Sequence, residues 1–150
     1  MWLLRGVARS RWHDRRADDP SHIAAAAKDL SLRPGEDGLS LFRVDDEEEG
    51  RRVATLLGVH KRRVSGRFDH LDYILVPPDA LDQLGLIVIS APDPALGPEL
   101  SERHREARGI TADLSLRLAA ILLDEGRFRL GRIRRHEVDT AATGANAPDE

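Results

Sequence analysis

Residues 39–91 alternate short apolar runs with helix-like stretches, and this order restricts the fold more than any other feature of the chain. "LSLFRV" (39–44) sets Leu39 and Leu41 to one side and Phe42 and Val44 to the other, as in a strand covered on both faces. Asp45 or Asp46 then caps a helix whose first turn holds Glu47, Glu48 and Glu49. Carboxylates there complement the positive end of the helix dipole. Glu47–Arg51 and Glu48–Arg52 have the favourable i, i+4 order, and Val53, Leu56 and Leu57 form the buried stripe. Gly58 is the expected stop, with "VHKRRVSGRFD" (59–69) as an exposed basic loop. "HLDYILVP" (70–77) reads as a second strand and "PDALDQLG" as a short helix. "LIVISA" (86–91), the most β-like run, reads as a central, fully buried strand. A mixed sheet follows from that order, although the basic loop is long enough to permit antiparallel pairing.

The flanking segments complete a single domain. Residues 2–12 fit an edge strand, with Leu4 and Val7 apolar but alternation poor. In "DDPSHIAAAAKDLSL", Ser21 is the expected N-cap, and Ile23, Ala26, Ala27 and Leu30 follow helical spacing. "PDPALGP" (92–98) is an extended loop, and residues 99–108 read as a polar, exposed helix. "TADLSLRLAAILLDEG" is a helix capped by Thr111, with Leu114, Leu118, Ile121 and Leu122 on one face. "RFRLGRIRR" (127–135) reads as a last, edge strand. The fold class expected is α/β or α+β: one compact domain over 1–136, with about four to five strands in a small mixed sheet and about four to five helices. Residues 137–150, "EVDTAATGANAPDE", read as a disordered polar tail.

Composition narrows the chemistry. The 150 residues include no cysteine, so disulfides, thiolate metal sites and a cysteine nucleophile are excluded. The N-terminus lacks the apolar core of a signal peptide and no stretch is long enough to span a membrane, so a cytoplasmic location without a membrane partner is expected. Net charge is −3, without the overall positive field of a typical nucleic-acid binder. The charge is segregated, however: residues 127–135 carry five Arg and no acid, whereas 36–49 carry seven acids and one Arg.

Five constellations invite a functional reading. Asp37, Asp45, Asp46 and Glu49 offer hard oxygen ligands for Mg²⁺. Successive carboxylates on a helix diverge, though, and helix-start chemistry accounts for the run, so neither a metal nor a cofactor is expected. His13 and His22, with Asp18 and Asp19, fit a surface turn better than a metal site. Ser65, Asp69 and His70 are close only along the chain, and no Gly-x-Ser-x-Gly, GxGxxG or phosphate-loop motif is present. Two surfaces remain. On the presumed polar helix, Glu102 and Glu106 flank His104 and lie one turn apart. On the presumed edge strand, Arg127, Arg129 and Arg132 offer either a phosphate track or a charged guard against strand aggregation.

The pieces "RPGEDGLSLFRV", "LDYILVPPDALDQLGLIVISAPDP" and "HREARGI" together resemble a loose group of small bacterial proteins encoded near conflict, phage-defence or polymorphic-toxin genes. The resemblance spans roughly residues 10–110 and brings no activity or catalytic residue with it. It implies bacterial origin and an accessory role beside a larger protein. The leading expectation is therefore a non-enzymatic interaction module with a larger bacterial protein partner. A small enzyme or toxin-like domain using His13, His22, His104 and Glu106 is the alternative, and nucleic-acid binding through the arginines is third.

Overall fold

The computed structural model describes residues 1–124 and 126–146. Among them are six strands and six α-helices forming one α/β domain. In chain order they are β1 (Trp2–Val7), α1 (Pro20–Ala27), β2 (Gly38–Val44), α2 (Glu47–Ser65), β3 (His70–Val76), α3 (Pro78–Asp82), β4 (Ile87–Ser90), α4 (Pro98–Arg103), β5 (His104–Arg108), α5 (Ala112–Leu123), β6 (Arg129–Arg134) and α6 (Arg135–Asn146). The strands form a single sheet in the order β4-β5-β2-β1-β3-β6. Every pairing is antiparallel.

The expected mixed sheet is thus replaced by a fully antiparallel one with more strands. The unit β2-α2-β3 is nonetheless a parallel crossover, because both strands run opposite to β1. What converts it is β1, which inserts between them and pairs with each. The first segment is therefore an inner strand and not an edge. Its poor alternation has a simple cause: Leu3 packs into the core on one face and Leu4 into the core on the other. A strand covered twice has no polar side to show.

Two apolar cores lie on opposite faces of the sheet. One joins Leu39, Leu41, Ile74, Val76 and Ala107 to α1, α3 and α5. The other joins Phe42, Val44, Leu71, Tyr73 and Ile133 to α2, α4 and Val138 of α6. The helix starts largely follow the local rules: Asp46 Oδ1 accepts the Glu49 N–H at 2.8 Å, and Thr111 Oγ1 accepts the Leu114 N–H at 3.2 Å. At α1 the cap is Asp19, whose Oδ1 accepts the Ser21 N–H at 2.9 Å; Ser21 itself lies inside the helix after Pro20.

Three elements depart from expectation for packing reasons. Helix α2 runs through Gly58 and absorbs most of the presumed basic loop. A Cβ at Gly58 would lie 2.7 Å from Val138 Cγ2, so this glycine allows α6 to approach α2. The stop is Gly66, at φ +82°, whose N–H donates to Arg62 O at 2.8 Å. Residues from 137 onward are not a disordered tail through the described range, because α6 extends to Asn146 and Val138 is fully buried. Residues 147–150 lie outside the described residues. The presumed polar helix 99–108 ends at Arg103 and continues as β5.

Candidate functional site: two edges of one sheet

An antiparallel sheet that is not closed has two edges, and here they differ in chemistry. One is β6, as the arginine-rich run suggested. Its register with β3, from His70↔Arg134 to Leu75↔Arg129, is regular and shows no bulge at Gly131. Alternation puts Arg129 and Arg132 on opposite faces. Arg132 forms a two-pronged bond to Asp72, with Nε to Oδ1 at 2.6 Å and Nη2 to Oδ2 at 3.2 Å. Asp72 is only 6% exposed and also accepts the Arg9 N–H at 3.1 Å. Burial pushes its carboxyl up, but the Arg132 and Arg9 hydrogen bonds prevail and hold it below the usual carboxylate value. Arg129 donates to Glu47 at 2.9 Å and lies over the Trp2 ring at 5.3 Å, while Arg127 pairs with Asp79. Each of these three arginines therefore has a carboxylate partner within the chain.

The other edge is β4. "LIVISA" is placed at the rim of the sheet, not at its centre, and Ile87 is 65% exposed. Val88 packs against the core of α1, α3 and α5, so Ile87 and Ile89 face the opposite side. The β4–β5 register matches Ile87 with Arg108 and Ile89 with Glu106, and Ala91 N–H donates to His104 O at 3.1 Å. Ladder bonds alternate in an antiparallel pair, so Ile87 and Ile89 bond inward. The N–H and C=O of Val88 and Ser90 then point out from the free edge. No charged side chain lies on β4.

The sequence-derived acidic site residues separate. Glu102 is exposed at the end of α4, and Glu106 lies on β5, where it pairs with Arg108 at 3.1 Å. They are not one helical turn apart, because β5 is extended. His104 begins β5 and is 8% exposed, so it belongs to the interior and not to a solvent-facing helix. Its Nδ1 lies 2.5 Å from Ala91 O and its Nε2 2.6 Å from Ser40 Oγ. Sequence reading missed Ser40, which is 64 residues away and carries no local motif. It missed the open edge as well, having taken apolar composition as a sign of burial.

The other candidates resolve locally. Among the described residues no group of three or more His, Asp or Glu side chains could hold a metal ion. His13 contacts Asp14, whereas His22 accepts the Arg16 N–H at 3.0 Å. Ser65 Oγ donates to Lys61 O and Arg67 O at the end of α2. Arg51 and Arg52 bypass their i−4 glutamates: Arg51 pairs with Glu137 of α6, and Arg52 with Glu99 of α4 at 2.5 Å. Glu49 takes Arg103 at 2.5 Å, so the acidic stretch ties α2 to its neighbours. Among the described residues no helix is long and apolar enough to cross a membrane. No protein-family model matches the chain, and no match was found among curated proteins or solved structures.

Proposed function

We propose that the protein is an interaction module of a cytoplasmic bacterial assembly, and that its docking element is the β4 edge. The observation that carries this reading is the uncharged free edge Ile87–Ser90, with Ile87 exposed beside outward-facing backbone groups of Val88 and Ser90. An unguarded apolar edge is a template for a further strand. Main-chain hydrogen bonds supply affinity in that mode and alternate side chains supply specificity.

The occupant is an extended segment of a larger protein, with alternate apolar side chains beside Ile87 and Ile89. A second copy is disfavoured by size. Four residues at about 3.3 Å each give an edge of roughly 13 Å, and symmetric pairing along it falls short of the roughly 800 Å² per partner of a stable interface. A foreign segment can continue across the face that Ile87, Ile89 and Glu106 share. The resemblance to proteins encoded near conflict and defence genes supports an accessory role of this kind.

Comparative capture from a bacterial host lysate tests the reading. Ser90→Pro removes an outward N–H that the internal ladder does not use, and proline is tolerated on edge strands in that orientation. The same protein must be recovered by the native chain and lost with Ser90→Pro. Equal recovery by both chains contradicts the proposal. Concentration-dependent dimers that Ser90→Pro abolishes, with no foreign partner recovered, replace it by self-association.

A further inference from the structure

Strands β1 and β2 pair only from Trp2↔Val44 to Leu4↔Phe42, although β1 stays paired with β3 through Val7. Beyond Leu4 the two strands part. The Arg5 guanidinium spans the gap on one side, with Nε donating to Asp29 O at 2.8 Å and Nη1 to Ser40 O at 2.9 Å. Above it opens a cleft of about 560 Å³, bordered by Gly6, Ser40, Phe42, Arg33 and Lys61. Because Ser40 C=O is turned toward β1, its N–H points the same way. The alternation of β1 likewise turns the Gly6 N–H toward the gap.

Ser40 is poised in a specific chemical sense. The Ala91 carbonyl only accepts, so His104 Nδ1 carries the proton at that 2.5 Å contact. The neutral ring then has its lone pair on Nε2, 2.6 Å from Ser40 Oγ. The single proton of the Ser40 hydroxyl is committed to that nitrogen. Ser40 borders the cleft, and with its proton held by Nε2 its Oγ keeps lone pairs free, which suits a nucleophile and not an anion-binding donor. Packing of the His104 ring against Phe42, at 5.2 Å between centroids, fixes its plane. The order nucleophile, base, orienting acceptor is that of a serine triad, with a carbonyl where a carboxylate often stands.

The mouth of the cleft is positive. Neither Arg33 nor Lys61 makes an ion pair among the described residues. The carboxylates of the cleft are engaged: Glu36 accepts the Arg33 N–H, and Asp29 accepts from Arg11 and Trp12.

We propose that Ser40 is the nucleophile of an esterase site, activated by His104, for small esters carrying a carboxylate. Ser40 Oγ bonds to the ester carbonyl carbon while its proton passes to His104 Nε2, and the Gly6 and Ser40 N–H groups receive the oxyanion. Collapse breaks the bond to the leaving oxygen, which takes the proton from Nε2 and departs as an alcohol. Water then attacks acyl-Ser40, giving its proton to Nε2, and the released Oγ recovers it as the acid leaves. Lys61 and Arg33 select the negative charge.

The test uses the full chain and an alkyl fluorophosphonate, which bonds phosphorus to Oγ and expels fluoride as the hydroxyl proton passes to His104. Peptide mass mapping is expected to place one adduct on Ser40, absent in Ser40→Ala, and His104→Gln is expected to slow labelling by about 100-fold. A nitrophenyl ester of glutaric acid is expected to exceed nitrophenyl acetate in kcat/KM by about tenfold, with Lys61→Gln narrowing that ratio. Lys61 is exposed, so this variant keeps the test valid even where His104→Gln fails to fold. No adduct on native Ser40, hydrolysis undiminished in Ser40→Ala, or equal use of both esters by the native chain overturns the proposal.

Discussion

The two edges of the sheet solve the same problem in opposite ways. β6 carries arginines, two of them paired to carboxylates of β3 and α2, and it leads directly into α6. β4 carries only Ile87, Val88, Ile89 and Ser90 and is followed by a proline-rich loop. A charged, internally tied rim resists a further strand, whereas an uncharged one invites it. The difference teaches that the arginines of β6 are tied to carboxylates of the chain itself, whereas the least charged strand leaves its outward backbone groups open, and on the proposed reading that strand is the docking surface.

The largest expected effect breaks that comparison directly. Ser90→Pro should weaken partner affinity by up to about 100-fold, because the one N–H lost leaves a partner carbonyl without its donor at a cost of about 1–3 kcal/mol, with thermal stability retained. Ile87→Lys, which copies the β6 device onto β4, should act in the same direction, while Arg134→Ala on exposed β6 should leave affinity unchanged. Titration calorimetry with the captured partner distinguishes these results.

Next in size is a stability effect confined to β6. Asp72→Asn removes the charge and one of the two oxygens that accept from Arg132 and the Arg9 N–H, and should cost about 1–3 kcal/mol in denaturant unfolding. A pH effect accompanies it. The Asp72 carboxyl lies below its ordinary value in the folded chain, so its contribution is present above the usual carboxylate range. That contribution is lost as pH falls through the folded value. Acid titration of stability should therefore be shallower in Asp72→Asn, and amide exchange should rise in β6 before β4, which has no titratable side chain. The smallest effect is that of Arg129→Ala, which removes an exposed ion pair and the Trp2 contact and should cost about 1 kcal/mol or less.

Local signals were legible wherever the cause of structure was local. The Asp46 cap, the Thr111 cap and the apolar face of α5 follow from neighbours within one or two turns. β1 was misplaced because nothing in six residues tells an inner strand from an edge, and only the pairing with both β2 and β3 decides it. "HREAR" has helical composition, yet it pairs with β2 and β4 as β5, and tertiary pairing outweighs its weak preference. The arginines of α2 were assigned to near glutamates, but packing brings Glu99 and Glu137 closer. β4 misled most, because hydrophobicity indicates burial only where another element exists to cover it. His104 was singled out on the wrong element, and its partner Ser40 could be found only through the register of β2 with β5.

Amide hydrogen exchange of β4, free and in complex with the captured partner, tests the central claim most directly. In the free chain the Val88 and Ser90 amides should exchange faster than those of Ile87 and Ile89, and the partner should slow the first pair selectively. Protection of Val88 and Ser90 already in the free chain, or new protection at β6 instead, would contradict the account.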